Sequence, residues 1–164
     1  MNTNTLIVKE RLDKMNVNYD LFEPILKADT TVISGGLITQ ILTDLEWKTD
    51  IDIFTTDKEV LTYFKEKRFI PTPLGINYGS SYNVYRFSVN KNITVDIIIV
   101  LDLMKAIGNF DLDFCKCWFD GEDFNVINSQ SILTKTHDRP HLNKTCNLEE
   151  RIAKYRKRGF TIDM

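Results

Sequence analysis

Thr30-Thr31-Val32-Ile33-Ser34-Gly35-Gly36 followed, after thirteen intervening residues, by Asp50-Ile51-Asp52-Ile53-Phe54 decides the reading of this sequence. The first run is β-branched and reads as a short strand that stops at Ser34. Beyond the glycines, Leu37, Ile38, Ile41, Leu42 and Leu45 fall on one helical face. A short linker then leads to an apolar strand with two aspartates one residue apart. Alternate strand residues share a face, so Asp50 and Asp52 look one way while Ile51 and Ile53 point into the core. Two carboxylates that close repel each other unless a cation sits between them. Hard oxygen donors at an open position suit Mg²⁺ or Mn²⁺, shared with substrate phosphates. Glycine lets the backbone approach a phosphate closely, and the free N–H groups of a helix start favour negative charge. Strand, glycine turn, helix and acidic strand in this order form a device for holding a nucleoside triphosphate with its metal.

A third carboxylate comes from Ile93-Thr94-Val95-Asp96-Ile97-Ile98-Ile99-Val100. A charge in the middle of such a strand is costly unless it is paired or binds metal. Asn90-Lys91-Asn92 supplies the turn joining it, as a hairpin, to a preceding strand from Tyr82 to Val89. Asp96 is then expected beside the Asp50/Asp52 strand, and three acids from two neighbouring strands suit a two-metal site. In such a site one ion orients the triphosphate and the other activates the attacking hydroxyl. The competing reading leaves Asp96 solvated on an exposed strand face.

With these residues the chain resembles the DNA polymerase β-like nucleotidyltransferase superfamily over roughly residues 30 to 130. That pattern is a Gly-Gly or Gly-Ser turn, a helix, an Asp-x-Asp or Asp-x-Glu strand and a later acidic strand. Here the pattern reads Ser34-Gly35-Gly36, Asp50-Ile51-Asp52 and Asp96. The resemblance implies that Asp50, Asp52 and Asp96 are the catalytic and metal-binding carboxylates, with Mg²⁺ or Mn²⁺ as cofactor and an NTP such as ATP as substrate. One departure stands out. Many members carry Ser as the second turn residue, with its hydroxyl on the triphosphate, and this chain has Gly36. Backbone amides of Gly35 and Gly36 then do more of that work, with Ser34 or Thr39 supplying a hydroxyl.

Phe110-Asp111-Leu112-Asp113-Phe114-Cys115 is similar to the segment after the third carboxylate in CCA-adding enzymes and poly(A) polymerases, where an Arg-Asp-Phe-Thr stretch opens a hairpin beside the nucleotide. Asp113-Phe114 matches its Asp-Phe pair, although no arginine precedes it, and adds Asp113 to the nucleotide-binding set. The stretch from Arg151 to Phe160 resembles the C-terminal end of small nucleotidyltransferase-like proteins of large DNA viruses, which also carry a Phe-Asp-x-Asp-Phe-Cys segment. A minimal member of viral or phage type is the implied source.

Composition bounds the remainder. At 164 residues the chain suits a single minimal nucleotidyltransferase domain over 1–164, with its core at about 30–130 and a basic helical tail at 147–160. The net charge is −2, so no global basic field draws it to duplex nucleic acid. The N-terminal Met1-Asn2-Thr3-Asn4-Thr5 is polar, no apolar run reaches transmembrane length, and three cysteines are an odd number. These point to a reducing cytoplasm, the host's if the source is viral, with no membrane partner.

Other elements follow from local signals. A short amphipathic helix spans Leu6 to Met15, and Thr56-Asp57-Lys58-Glu59 reads as a capping box opening a helix to about Lys67. Pro71, Pro73 and Gly75 mark a loop that continues through Asn77 to Ser81. Leu101 to Ile107 reads as a helix stopped at Gly108-Asn109. A hairpin of Phe114–Trp118 and Phe124–Ile127 turns at Asp120-Gly121, and Ser131–Lys135 and Leu148–Arg158 read as helices. The expected class is α+β, a nucleotidyltransferase-like mixed β-sheet with helices packed mainly on one face.

Three further constellations compete for roles. Cys115, Cys117, His137, His141 and Cys146 are zinc-competent types, but a one-residue spacer within a strand is wrong for a zinc turn, which favours reduced, partly buried thiols. Arg151, Lys154, Arg156, Lys157 and Arg158 form a basic helix, read either as a solvated face or as a contact for acceptor or triphosphate. Tyr78, in a Gly-flanked loop, is placed to stack on a base.

The expected function is transfer of a nucleoside monophosphate from an NTP to an acceptor hydroxyl on RNA, a protein or a small molecule. The alternative is a catalytically idle nucleotide-binding or interaction module of the same fold. The chain lacks the length for thumb and fingers domains, so no template DNA is expected.

Overall fold

The computed structural model describes residues 1–72, 83–137 and 148–163. Helix α1 spans Thr3–Lys14, with the Asn2 side chain accepting from the Thr5 N–H at its start. Strand β1 (Thr31–Ser34) runs into α2 (Gly36–Leu42), then β2 (Ile51–Thr55) and α3 (Glu59–Glu66). Strands β3 (Ile70–Thr72), β4 (Asn83–Ser88) and β5 (Thr94–Ile99) lead to α4 (Leu103–Gly108). After a 3₁₀ turn at Asp113–Cys115 come β6 (Cys117–Phe119), β7 (Phe124–Val126), α5 (Ser129–Thr134) and β8 (Thr136–His137). Helix α6 (Leu148–Lys157) and β9 (Thr161–Ile162) complete the described chain.

Seven strands form one mixed sheet in the order β3-β4-β5-β2-β1-β6-β7, while β8 and β9 pair as a separate ribbon. Within the large sheet β2 and β5 are parallel and the other neighbouring pairs are antiparallel. Strand alternation then decides what each face carries. Ile33, Ile51, Ile53, Val95 and Ile97 point to the larger core, which α1, α2, α3, α5 and α6 cover with residues such as Leu12, Ile38, Phe64, Ile132 and Tyr155. The opposite face buries Val32, Phe54, Val84 and Ile98 under Leu103, Ala106 and Ile107 of α4. Helices therefore pack mainly on one face, as the α+β reading has it.

Several local expectations shift. Thr56 and Glu59 do not form the capping box: Asp57 Oδ1 instead accepts from the Glu59 N–H at 2.9 Å, and the Thr55 hydroxyl accepts from the Asp57 N–H. Pro71 is not in a loop but inside β3, an edge strand, where a missing N–H is tolerated. Phe114 and Cys115 leave the expected strand for the 3₁₀ turn, so Cys115 and Cys117 do not share a strand face. Both thiols are buried and reduced. Pro73, Gly75, Tyr78, His141 and Cys146 lie outside the described residues.

Candidate active site

One rung of directly opposed positions crosses the sheet: Thr72, Arg86, Asp96, Asp52, Ser34 and Trp118. Asp52 and Asp96 are register partners in the parallel β2–β5 pair, so their side chains rise from the same face. Asp50 lies two residues before Asp52, at the mouth of β2, and its side chain is 48% exposed. The Thr94 hydroxyl donates to Asp50 Oδ1 at 2.7 Å, which ties this acid to the start of β5. The three acids thus occupy one end of one face, where β1 runs out into the glycine turn.

The turn touches the acids. Gly35 precedes α2 with φ +83°, a conformation that favours glycine. A side-chain carbon built there would stand 3.3 Å from Asp52 Oδ2. At Gly36 such a carbon would meet the Tyr155 hydroxyl at 3.1 Å, the Thr49 hydroxyl at 3.2 Å and Trp47 Nε1 at 3.8 Å. Trp47 Nε1 is buried and finds no hydrogen-bond partner. Helix α6 therefore lies over the turn, with Tyr155 as its contact and the Arg158 guanidinium stacked 4.3 Å from the Trp47 ring centroid.

Arg86 was not among the sequence candidates, and it engages two of the three acids. Its Nε and Nη2 donate to Asp96 Oδ1 and Oδ2 at 2.7 and 2.9 Å, and Nη2 lies 3.7 Å from Asp50 Oδ2. Asp96 is wholly buried, so the solvated-strand reading of that residue falls. The sequence held a usable signal. Counting outward from Lys91 at the centre of the β4–β5 turn, Arg86 and Asp96 are equidistant, as their pairing requires.

Ser34, Thr39 and Asp113 are turned elsewhere. The Ser34 hydroxyl donates to the Cys117 carbonyl at 2.6 Å, and the Thr39 hydroxyl bonds the carbonyls of Gly35 and Phe114 at 3.1 and 2.9 Å. Both residues are fully buried, and their hydroxyls tie β1 to β6 and α2 to the 3₁₀ turn. Asp113 is buried with Lys116 Nζ at 3.3 Å and His137 Nδ1 at 3.3 Å, inside the region where β8 packs on the 3₁₀ turn. His137 Nδ1 also accepts from the Asp113 N–H at 3.0 Å.

The donor set suits a divalent ion at two of its three acids. Asp50 and Asp52 are oxygen donors at an accessible edge, which fits Mg²⁺ or Mn²⁺ shared with phosphate oxygens. Among the described residues no three acidic, imidazole or thiol side chains converge on a point that could hold a metal ion. Arg86 donates to both oxygens of Asp96.

The basic helix is only partly a solvated face. Arg151 forms a two-point pair with Asp111 at 2.8 and 3.0 Å, and Arg156 donates to the Ile162 carbonyl. Lys154 is shifted down, chiefly by burial and then by Arg158 and Arg151, while Asp50 acts in the opposite direction. Glu150, Ala153, Lys154, Lys157 and Arg158 line a surface depression of about 480 Å³.

A mixed sheet with this strand order, a glycine turn and a facing acid pair defines a nucleotidyltransferase-like fold. Solved structures share it. "The complex structure of CCA-adding enzyme with CTP" has a TM-score of 0.64 at 14% identity, covering 96% of this chain and 42% of that one. The Thermotoga maritima CCA-adding enzyme complexed with tRNA has a TM-score of 0.62 at 12% identity, covering 100% and 40%. An apo form of a CCA-adding enzyme has a TM-score of 0.61 at 12% identity, covering 98% and 39%. The chain spans about two-fifths of the length of these structures. No curated protein matches the sequence. The model of the Gabija anti-defense 2 family matches residues 4–139, and the chain belongs to that family. No helix among the described residues is long and apolar enough to cross a membrane.

Proposed function

We propose that this chain is a metal-dependent nucleotidyltransferase that moves a nucleoside monophosphate from an NTP to an acceptor hydroxyl. The observation that carries the reading is the position of Asp52, between the Gly35 turn on one side and Asp96 on the other. Asp50 and Asp52 hold Mg²⁺ or Mn²⁺ against the triphosphate, which the metal orients and neutralises when bound. The Gly35 and Gly36 amides carry the phosphates, beside Asp52. Asp96 belongs to the same carboxylate set and acts near the attacking oxygen. Neighbours described with CTP, ATP and tRNA support nucleotide binding in this fold.

The family description, anti-defense, supports a setting in which the acceptor is a component of a Gabija defence, met in the cytoplasm of the infected host. RNA ends, a protein hydroxyl and a small molecule are the acceptor classes, with no template strand. A second reading has its own support: Arg86 neutralises Asp96, as expected of an idle nucleotide-binding module that keeps the fold.

The deciding experiment incubates the protein with each α-labelled NTP, Mg²⁺ or Mn²⁺, and pools of RNA, protein and small acceptors. Label transfer that stops with chelator and in Asp52→Ala is the expected result. NTP affinity that ignores chelator and Asp52→Ala alike overturns the metal site. Metal-dependent NTP binding with neither transfer nor slow hydrolysis hands the protein to the binding-module reading.

A further inference from the structure

We propose that Arg86 is a resident cation at the third carboxylate, so that the site takes one divalent ion, at Asp50 and Asp52, in place of two. This rests on the metal-dependent reading above and deepens it. The two-point pair uses both oxygens of Asp96, and a guanidinium fork matches a carboxylate in a way a flexible ammonium does not. The pairing is set by the backbone. Arg86 and Asp96 are register partners in the β4–β5 hairpin, so the chain itself presents the cation opposite the acid.

Burial reinforces the arrangement. Asp96 is wholly buried and the Arg86 side chain is 14% exposed, so the acid has no bulk water as an alternative partner. A guanidinium also keeps its charge at every accessible pH, which a histidine or lysine in this place would not guarantee. A second divalent ion must therefore approach, against the guanidinium charge, two oxygens that already accept N–H bonds at 2.7 and 2.9 Å. The far end of the guanidinium lies 3.7 Å from Asp50, so it borders the ion site from the Asp96 side. Arg86 acts here as a positioning residue, through Asp96 and Asp50.

Mn²⁺ titration followed by electron paramagnetic resonance, with a non-hydrolysable ATP analogue present, tests this directly. Wild-type protein should bind one Mn²⁺. Asp52→Asn should weaken that binding by at least about tenfold, the scale seen when metal sites lose a supporting group. Asp96→Asn should still bind a single Mn²⁺, with a smaller loss of affinity than Asp52→Asn, since Asp96 reaches the ion only through Arg86. Arg86→Gln, which keeps hydrogen-bond donors but removes the charge, should admit a second Mn²⁺.

Two Mn²⁺ in the wild type overturns the inference while leaving the metal-dependent reading intact. Loss of affinity in Asp96→Asn matching that in Asp52→Asn does the same. No Mn²⁺ at all overturns both. Should Arg86→Gln fail to fold, the wild-type count and the two aspartate variants decide the matter without it.

Discussion

Gly36 opens α2 in a space with little room for a side chain. The space a side chain would take there is already rimmed by the hydroxyls of Tyr155 and Thr49. Tyr155 is buried between Trp47, Phe114 and Phe160, so its ring has little room to yield. Gly36→Ser should cost roughly 1–3 kcal/mol by overpacking, read from urea unfolding. Tyr155→Phe removes the crowding oxygen, so the double variant should recover much of that loss. Strict additivity of the two changes would show that the hydroxyl is not the obstacle. The sequence made the departure at Gly36 visible but not the crowding around it, because Tyr155 is more than a hundred positions away. Arg86 was the reverse case. Its register with Asp96 could be counted from the hairpin turn, and the apolar run around Asp96 drew attention to metal instead.

At the scale of elements, the periodic segments were readable and the irregular ones were not. β1, α2, β2 and the β4–β5 hairpin follow their sequence patterns closely, since strand alternation and helical spacing encode burial directly. The strand expected at Phe114–Trp118 begins only at Cys117, because Phe114 and Cys115 belong to a 3₁₀ turn whose side chains are buried in the larger core. Helix α6 looked like a basic tail, yet Ile152 and Tyr155 lie in the larger core. Its cations divide accordingly. Arg151 and Arg156 are committed to Asp111 and to the Ile162 carbonyl, and Arg158 is stacked on Trp47. Lys154 and Lys157 line the depression, where a ligand could meet them. With an RNA acceptor, Lys154→Gln plus Lys157→Gln should lower the salt slope of binding by roughly 0.7 for every phosphate they neutralise, and raise the acceptor KM. A fall in NTP affinity with an unchanged acceptor slope would assign these lysines to the triphosphate. No change in either returns them to a solvated surface.

For the molecule as a whole, buried acids that keep their protons set an alkaline limit. Burial pushes the Cys117 thiol from its ordinary 9.0 up to about 12, with a weaker opposing hydrogen bond from Thr39. Burial also raises Cys115 and Tyr155. Between those values the folded chain holds a proton that the unfolded chain releases, so stability is intact below pH 9 and declines as pH climbs towards 12. Each such proton contributes a slope of about 1.4 kcal/mol per pH unit. Denaturant unfolding at intervals from about pH 8 to pH 11 should show this decline, and Cys117→Ala should make it shallower by up to one proton. An identical slope in the variant would remove Cys117 from the account.

The rung through Arg86, Asp96 and Asp52 also implies an order of events. Arg86 and Asp96 belong to one local hairpin, whereas Asp52 reaches Asp96 only through the parallel pairing of β2 with β5. Local hairpins close in microseconds, and pairings between distant segments must first meet a larger loop entropy. Asp96 is therefore furnished with its counter-charge before the strand bearing Asp50 and Asp52 arrives beside it. In chevron kinetics, Arg86→Gln should slow folding, while Asp52→Asn should leave the folding limb nearly unmoved. On that order the acids of β2 meet an Asp96 whose charge is already answered within its own hairpin.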